Sequence, residues 1–236
     1  LIRFLRDEKK AKRWFLVGSD YAFGRGMIDA AKRTIRQLGG EILGEEYLPL
    51  QSSDWTAIVS KIRAANPDAV VYSTSGGGPN IDFMKQYKAA GLKMPVGSLS
   101  IDELTAQAGG GAAAGVYYTG DYFTGIPTEE NRRFLAAMKR KFGASLKTPN
   151  SLSQQEYDGV HAYALAVKRA GTTDPERIVR VLPEVVFKGP RGPIQMNKQH
   201  HAALPIYLAQ VQEDGNTKVL KSFGLVDPGE QCPHLK

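Results

Sequence analysis

The chain has 236 residues, 42% hydrophobic and 23% charged, an ordinary globular composition long enough to bury a sizeable core. Its 31 basic and 24 acidic residues leave a net charge of +7. The basic residues are scattered along helical segments (Lys9, Lys10, Lys12, Arg13; Lys32, Arg33, Arg36; Lys139, Arg140, Lys141), which reads as solvated faces and argues against a nucleic-acid partner. No apolar run reaches the roughly 18 residues of a helical membrane span.

The opening LIRFLRDEKKAKRW is helical and charged, unlike a signal peptide, as if the sequence started inside a domain. Trp14 to Val17 reads as an apolar strand. The turn GSDYAFGRG follows, and Met27, Ile28, Ala31, Ile35 and Leu38 then recur at helical spacing up to Gly39-Gly40. Glu41 to Leu50 predicts a second strand. Ser52 or Ser53 is expected to cap a helix whose buried stripe is Trp55, Ile58, Val59 and Ile62. Residues 69–72 (AVVY) predict a strand buried on both faces. The turn STSGGGP leads into a helix carrying Ile81, Met84 and Tyr87, with Pro79 in its first turn. Pro95 to Leu99 and Val116 to Thr119 complete five strands alternating with helices, a doubly wound parallel α/β sheet. Beyond Tyr122 the pattern predicts a helix capped by Thr128, a second carrying Tyr157, Val160, Ala164 and Leu165, and a third from Asp174-Pro175. Short Gly/Pro-punctuated strands and a hairpin around Asp214-Gly215 close the chain.

The glycine turns do not fit nucleotide chemistry. Gly18, Gly24 and Gly26 lack the G-x-G-x-x-G spacing, Asp20 would repel a phosphate, and no P-loop is present. The turn Ser73 to Gly78 is more suggestive. It offers hydroxyls and unhindered amides at a strand's carboxyl end, where open α/β sheets bind ligands, although a flexible turn with capping serines would read the same. Tyr21 and Phe23 follow the first strand, Ser98, Ser100 and Asp102 the fourth, and Asp121, Tyr122 and Phe123 the fifth. Such a group of aromatics and polar residues at one sheet edge predicts a small-molecule pocket. Catalytic signatures such as G-x-S-x-G, H-E-x-x-H or C-x-x-C are absent. His161 reads as partly packed, the adjacent His200-His201 as a polar loop pair, and Cys232 with His234 as a tail rather than metal ligands. The lone cysteine is free or pairs outside this chain. No metal or cofactor is expected.

The segments GSDYAFGRGM, EEYLPLQSSDW, NPDAVVYSTSGGGPNIDFMKQYKAAGL, TGDYFTGIPTEENRRFLAAMKRKFG and QQEYDGVHAYALAVKRAG resemble the periplasmic solute-binding proteins of ABC transporters, in the branch that takes branched-chain amino acids, amides and urea. The resemblance runs from about Trp14 to Phe223. It implies a two-lobed type I periplasmic binding fold of Rossmann-like sheets whose first lobe lacks its amino-terminal part. The second lobe is then expected over 12–122 plus 207–236, the returning part of the first lobe over 123–206, and an incoming helix over 1–11. It further implies a non-enzymatic, monomeric, periplasmic or cell-surface component that passes a solute to a permease. The solute is expected to be an amino acid, an amide, a urea-like compound or an aromatic acid. Carried over by position, Tyr21 and Phe23 pack on the solute, and Ser75, Gly76, Gly77 and Gly78 form a pocket loop. Where amino-acid binders commonly place an acid for the ammonium group, this chain has Leu99 or Ser100, with Asp102 or Asp121 as candidates to stand in. A ligand sensor of the same fold is the alternative, and a Rossmann-type enzyme a remoter one.

Overall fold

The computed structural model describes residues 1–229, so Cys232 and His234 fall outside the described residues. The chain divides into two compact units. Unit 1 comprises Leu1–Thr119 with Leu208–Leu220, and unit 2 comprises Gly120–Tyr207 with the residues from Lys221 onward.

Unit 1 is built on parallel strands β1 (Arg13–Asp20), β2 (Glu41–Pro49), β3 (Ala69–Ser73), β4 (Val96–Ser98) and β5 (Tyr117–Gly120). Between them run α2 (Ala22–Gln37), α3 (Thr56–Ala65), α4 (Gly78–Ala89) and α5 (Glu103–Gly109), and α1 (Ile2–Lys9) precedes β1. With β8 (Leu204–Val211) and β9 (Thr217–Val226), the sheet has the order β2-β1-β3-β4-β5-β8-β9. The turn between β8 and β9 lies at Asp214-Gly215, as the sequence predicts, with Gly215 at φ +79° and the Gln212 amide bonded to the Asn216 carbonyl. Strands β1 and β3 are buried on both faces because helices cover both sides of a parallel sheet. Leu5, Trp14, Leu16, Ile28, Ile35, Val71 and Leu208 form one continuous core. Helix α1 contributes Ile2 and Leu5 to that core, so residues 1–11 pack as part of unit 1.

Unit 2 holds α6 (Glu129–Phe142), α7 (Ser151–Ala170), α8 (Pro175–Val181) and a two-stranded antiparallel hairpin, β6 (Val186–Gly189) with β7 (Gly192–Gln195). Its helices start on side-chain caps: Thr128 for α6, Asn150 with Ser153 in a reciprocal box for α7, and Asp174 for α8. A small cluster of Ala166, Ile178 and Val185 joins α7, α8 and the start of the hairpin.

Three local expectations are corrected. Neither Ser52 nor Ser53 caps α3; the Asp54 carboxylate accepts from the Thr56 amide at 3.1 Å instead. The stripe of α7 that faces inward is Gln154, Asp158, Ala162 and Ala166, whereas Tyr157, Val160 and Leu165 are exposed. Asp158 is drawn inward there by the buried Arg191, and Gln154 by its bond to Asp158. Finally, α2 begins at Ala22, more than a turn before the periodic stretch from Met27, so Gly24 and Gly26 are helical.

Those two glycines differ in kind. A Cβ on Gly24 would lie 2.2 Å from the Ser19 carbonyl oxygen and 3.1 Å from that of Ser73, both backbone atoms that cannot yield. Gly26 has nothing within 4 Å. Gly24→Ala is therefore expected to displace the start of α2 and lower stability in urea unfolding. Gly26→Ala should instead be neutral or stabilising by roughly 0.5–1 kcal/mol, the helical advantage of Ala over Gly. Equal effects of the two would refute the close approach at Gly24.

Candidate functional site

The carboxyl ends of β1, β3 and β4 in unit 1 bring together residues far apart in sequence. Ser19, at the end of β1, is fully buried, and its Oγ accepts from the Ser75 amide at 2.9 Å. The Ser75 hydroxyl donates to the Leu50 carbonyl at 2.6 Å, which fixes the loop after β3 from both sides. Beyond this anchor, Gly76, Gly77 and Gly78 are exposed and lead into α4, with Gly77 at φ +71°. The first amides of a helix have no intrahelical acceptors, so they are open to a ligand. Ser73 and Thr74, just before the loop, are fully buried, and their hydroxyls have no hydrogen-bond partner among the described residues. A buried hydroxyl without a partner is uncommon and marks a place where a ligand or water completes the bonding.

A second polar chain crosses the same edge. The Tyr72 hydroxyl donates to Asn80 Oδ1 at 3.0 Å, and Asn80 Nδ2 donates to Ser100 Oγ at 3.2 Å. Burial pushes the Tyr72 hydroxyl pKa upward, so it remains a donor. Ser98 Oγ accepts from the amides of Ser100 and Ile101, at 3.2 and 2.9 Å, which leaves it shaping the β4–α5 turn. Asp102 caps α5, its carboxylate accepting from the Thr105 amide at 2.7 Å.

Tyr21 and Phe23 form a ring pair with centroids 6.1 Å apart. Phe23 is 49% exposed although it stands in the first turn of α2, whose buried side is formed by Gly24, Ile28, Ala31 and Ile35. Asp20 is bonded to Arg25 at 2.5 Å, and that guanidinium holds its carboxyl below the usual carboxylate range. Arg25 in turn lies over the Tyr47 ring, 4.2 Å from its centroid.

The remaining three residues anticipated for the pocket belong to the interior of unit 2. The Tyr122 ring is buried, its hydroxyl donates to Asn131 at 2.9 Å, and it packs edge-on against Phe134. Phe123 is likewise buried, against Tyr207. The Asp121 carboxylate is held by Arg191 and by Gln155 Nε2 at 2.9 Å. The Arg191 side chain is 5% exposed and also grips Asp158 through Nε at 3.1 Å and Nη2 at 2.9 Å; Asp158 accepts a further bond from Gln154 at 2.5 Å. One buried guanidinium thus ties the segment after β5 to α7 and the β6–β7 hairpin. Sequence reasoning missed this cluster, and also Ser19 and Asn80, because none lies in a local motif. Among the described residues no group of three or more His, Cys, Asp or Glu could hold a metal ion. His161 is exposed with its ring 4.4 Å from Tyr157, and His200 and His201 are exposed.

A concavity of about 360 Å³ lies elsewhere in unit 1, at the amino ends of β4 and β5, lined by Lys9, Lys88, Lys93 and Tyr117 among others. Its cations are surface lysines, and Lys88 is already bonded to the Gly111 carbonyl. The carboxyl edge carries the convergent buried polar groups, so it is the better candidate site.

Residues 1–216 match the model of the family described as periplasmic binding protein. The chain belongs to that family. A curated relative, Leu/Ile/Val-binding protein homolog 6 of Brucella melitensis, is 28% identical over 94% of this chain and 60% of its own length. A solute-binding protein of an ABC transporter from Rhodopseudomonas palustris BisB5, solved with 3,4-dihydroxybenzoic acid, is 27% identical with a TM-score of 0.82. The match covers 97% of this chain and 65% of that one. Another from R. palustris, solved with 4-hydroxybenzoate, is 26% identical with a TM-score of 0.82, over 95% of this chain and 63% of that one. The chain therefore spans about three-fifths of the length of these relatives. Its mostly parallel α/β sheet is that of type I periplasmic binding proteins, and the family and its structural neighbours are solute-binding proteins.

The Arg191 cluster yields a stability prediction. Arg191→Met would leave the Asp121 and Asp158 carboxylates buried without their cation, a change that typically costs about 3–5 kcal/mol. Urea unfolding should show a loss of that size, partly recovered when Asp121→Asn and Asp158→Asn are added. A loss within about 0.5 kcal/mol, as at an ordinary surface site, would contradict the role assigned to Arg191.

Proposed function

We propose that this chain is the solute-capturing part of an ABC-transport binding protein, with its solute received at the carboxyl edge of unit 1. The observation that carries the reading is the presence at that edge of a ring pair with Phe23 exposed, two buried hydroxyls without partners among the described residues and an unhindered glycine loop. Tyr21 and Phe23 offer an apolar wall. Ser75 and Gly76 to Gly78 offer the loop, while Ser98, Ser100 and Asp102 shape the neighbouring turn. Asp121 and Tyr122 support unit 2 and do not touch the solute in this reading, because their polar atoms are already engaged.

The chain performs no chemistry on its solute. It exchanges the solute's hydration for fixed hydrogen bonds and presents it to membrane permease subunits from the periplasmic side, acting as a monomer. The solute comes from the set of amino acids, amides, urea-like compounds and aromatic acids. The hydroxybenzoates found with the two R. palustris proteins support the aromatic end of that set. A ligand sensor would use the same edge; a requirement for this chain in uptake of its solute by cells separates the two roles.

Phe23→Ala is expected to weaken solute binding by about tenfold or more in calorimetric titration, because a buried aromatic wall contributes roughly 1.5–3 kcal/mol. Its midpoint of thermal unfolding without solute should stay close to that of the parent, since the ring is half exposed in the free protein. Unchanged affinity would remove Phe23 from the site.

A further inference from the structure

The amino end of β1 carries a polar group that the solute reading does not use. Trp14 is 1% exposed, and its Nε1–H has no hydrogen-bond partner among the described residues. An indole N–H is a donor only, and when buried it usually finds an acceptor. Trp14 lines a concavity of about 330 Å³ in unit 1, between the end of α1, the start of β1 and the end of α2. Gly40 lines it too, and a Cβ there would lie 2.7 Å from Nε1, so glycine at that position keeps the N–H uncovered.

The charges around this concavity are of one sign. Arg6, Lys10 and Lys12 line it with Trp14, Ile35 and Leu38, and among the described residues no aspartate or glutamate does. Asp68, at the same end of β1, spends one carboxylate oxygen on the amides of Lys12 and Arg13, at 2.9 and 2.7 Å. Arg6 is bonded to Asp7 and the Lys10 ammonium to the Asp7 carbonyl, whereas the Lys12 ammonium has no partner among the described residues. Cations at helix carboxyl ends answer the helix dipole, which accounts for Arg6 and Lys10 at the end of α1. That rule does not account for Lys12, which lies outside both helices, nor for the indole N–H. The carbonyls of Thr34, Ile35 and Arg36, which close α2, are turned to the amides of Leu38, Gly39 and Gly40 instead.

A buried donor beside an unpaired ammonium, next to an apolar wall of Ile35 and Leu38, suits an acceptor that carries negative charge. We propose that this concavity is a second binding site, for a small oxyanion (a carboxylate or a phosphate) that accepts from Trp14 Nε1 and pairs with Lys12. Arg6 and Lys10 add to the positive field there. Trp14 and Ser19 stand at opposite ends of β1, about 16 Å apart at the usual strand rise, so the site is separate from the solute edge. The two readings stand or fall separately.

The chain holds two tryptophans, so a nitrogen–proton correlation spectrum has two indole signals, and that of Trp14 is identified by its Overhauser contact with Gly40. Sodium phosphate and sodium hexanoate are titrated separately into the full chain at constant ionic strength. The Trp14 signal is expected to move downfield and saturate in the millimolar range with at least one of them, while the buried Trp55 indole stays in place. Phosphate acting alone assigns the site to phosphate groups, and hexanoate acting alone to organic acids. A Trp14 signal that stays still with both, drifts without saturating, or moves together with that of Trp55 overturns the site. Lys12→Gln should raise the half-saturating concentration about threefold or more, as loss of an ion pair does. Lys139→Gln, the same charge change in unit 2, should leave it unchanged. Equal effects of the two variants overturn the role of Lys12 and leave net charge as the source of the attraction.

Discussion

A strand buried on both faces must settle its polar groups where it ends, and unit 1 depends on that constraint. Strands β1 and β3 run through the core with every interior residue buried. Their ladder bonds satisfy the backbone along their length, but the ladder that joins them ends at Gly18 and Ser73. From there the chain needs side chains, caps or a ligand to complete the bonding. Ser19 supplies one acceptor to the Ser75 amide, and this bond, together with the hydroxyl of Ser75 on Leu50, holds the loop on which the rest of the edge is built. The loop's glycines and the Ser73 and Thr74 hydroxyls stay uncommitted, and the candidate site occupies that remainder.

The same constraint explains Gly24. The helix after β1 has to start close enough to the sheet to bury Ile28 and Ile35, and the backbone carbonyls of Ser19 and Ser73 then stand where a side chain would be. Phe23 is turned outward by that start: its neighbour faces the sheet, and its own ring is left toward solvent beside Tyr21. A requirement of packing thus produces an exposed aromatic pair at a sheet edge, a combination that favours a small organic solute.

Unit 2 is organised by a different interaction. Its apolar cluster is small, and large apolar side chains such as Leu152, Val160 and Val186 are more than 60% exposed. The Arg191 guanidinium connects three segments through two carboxylates, each further bonded by a glutamine. Such a cluster is costly to break and sensitive to geometry, so it fixes where these segments lie more than it adds net stability. It also explains why α7 turns Gln154 and Asp158 inward: hydrophobic periodicity alone points to Tyr157, Val160 and Leu165, which the structure leaves exposed.

Several features were legible in the residues alone. The alternation of apolar runs with helical periods specified a doubly wound parallel sheet, since fully buried strands have no polar face to alternate. Caps at Thr128 and Asp174 and the turn at Asp214-Gly215 were equally local. The spacing of Gly18, Gly24 and Gly26 argued against a dinucleotide loop. The positions of Tyr21, Phe23 and the Ser75–Gly78 loop followed from the ends of predicted strands. Which groups were already spent could not be read this way. Asp102 and Asp121 are acids at strand ends in sequence, but one caps a helix and the other meets an arginine seventy positions later in the chain. Ser19 meets Ser75, and Asn80 meets Ser100, only because neighbouring strands end at the same edge. Local pattern determines which elements form, because propensity and periodicity act over a few residues. Whether a side chain remains free to meet a solute is decided by partners that only the tertiary fold brings within hydrogen-bonding distance.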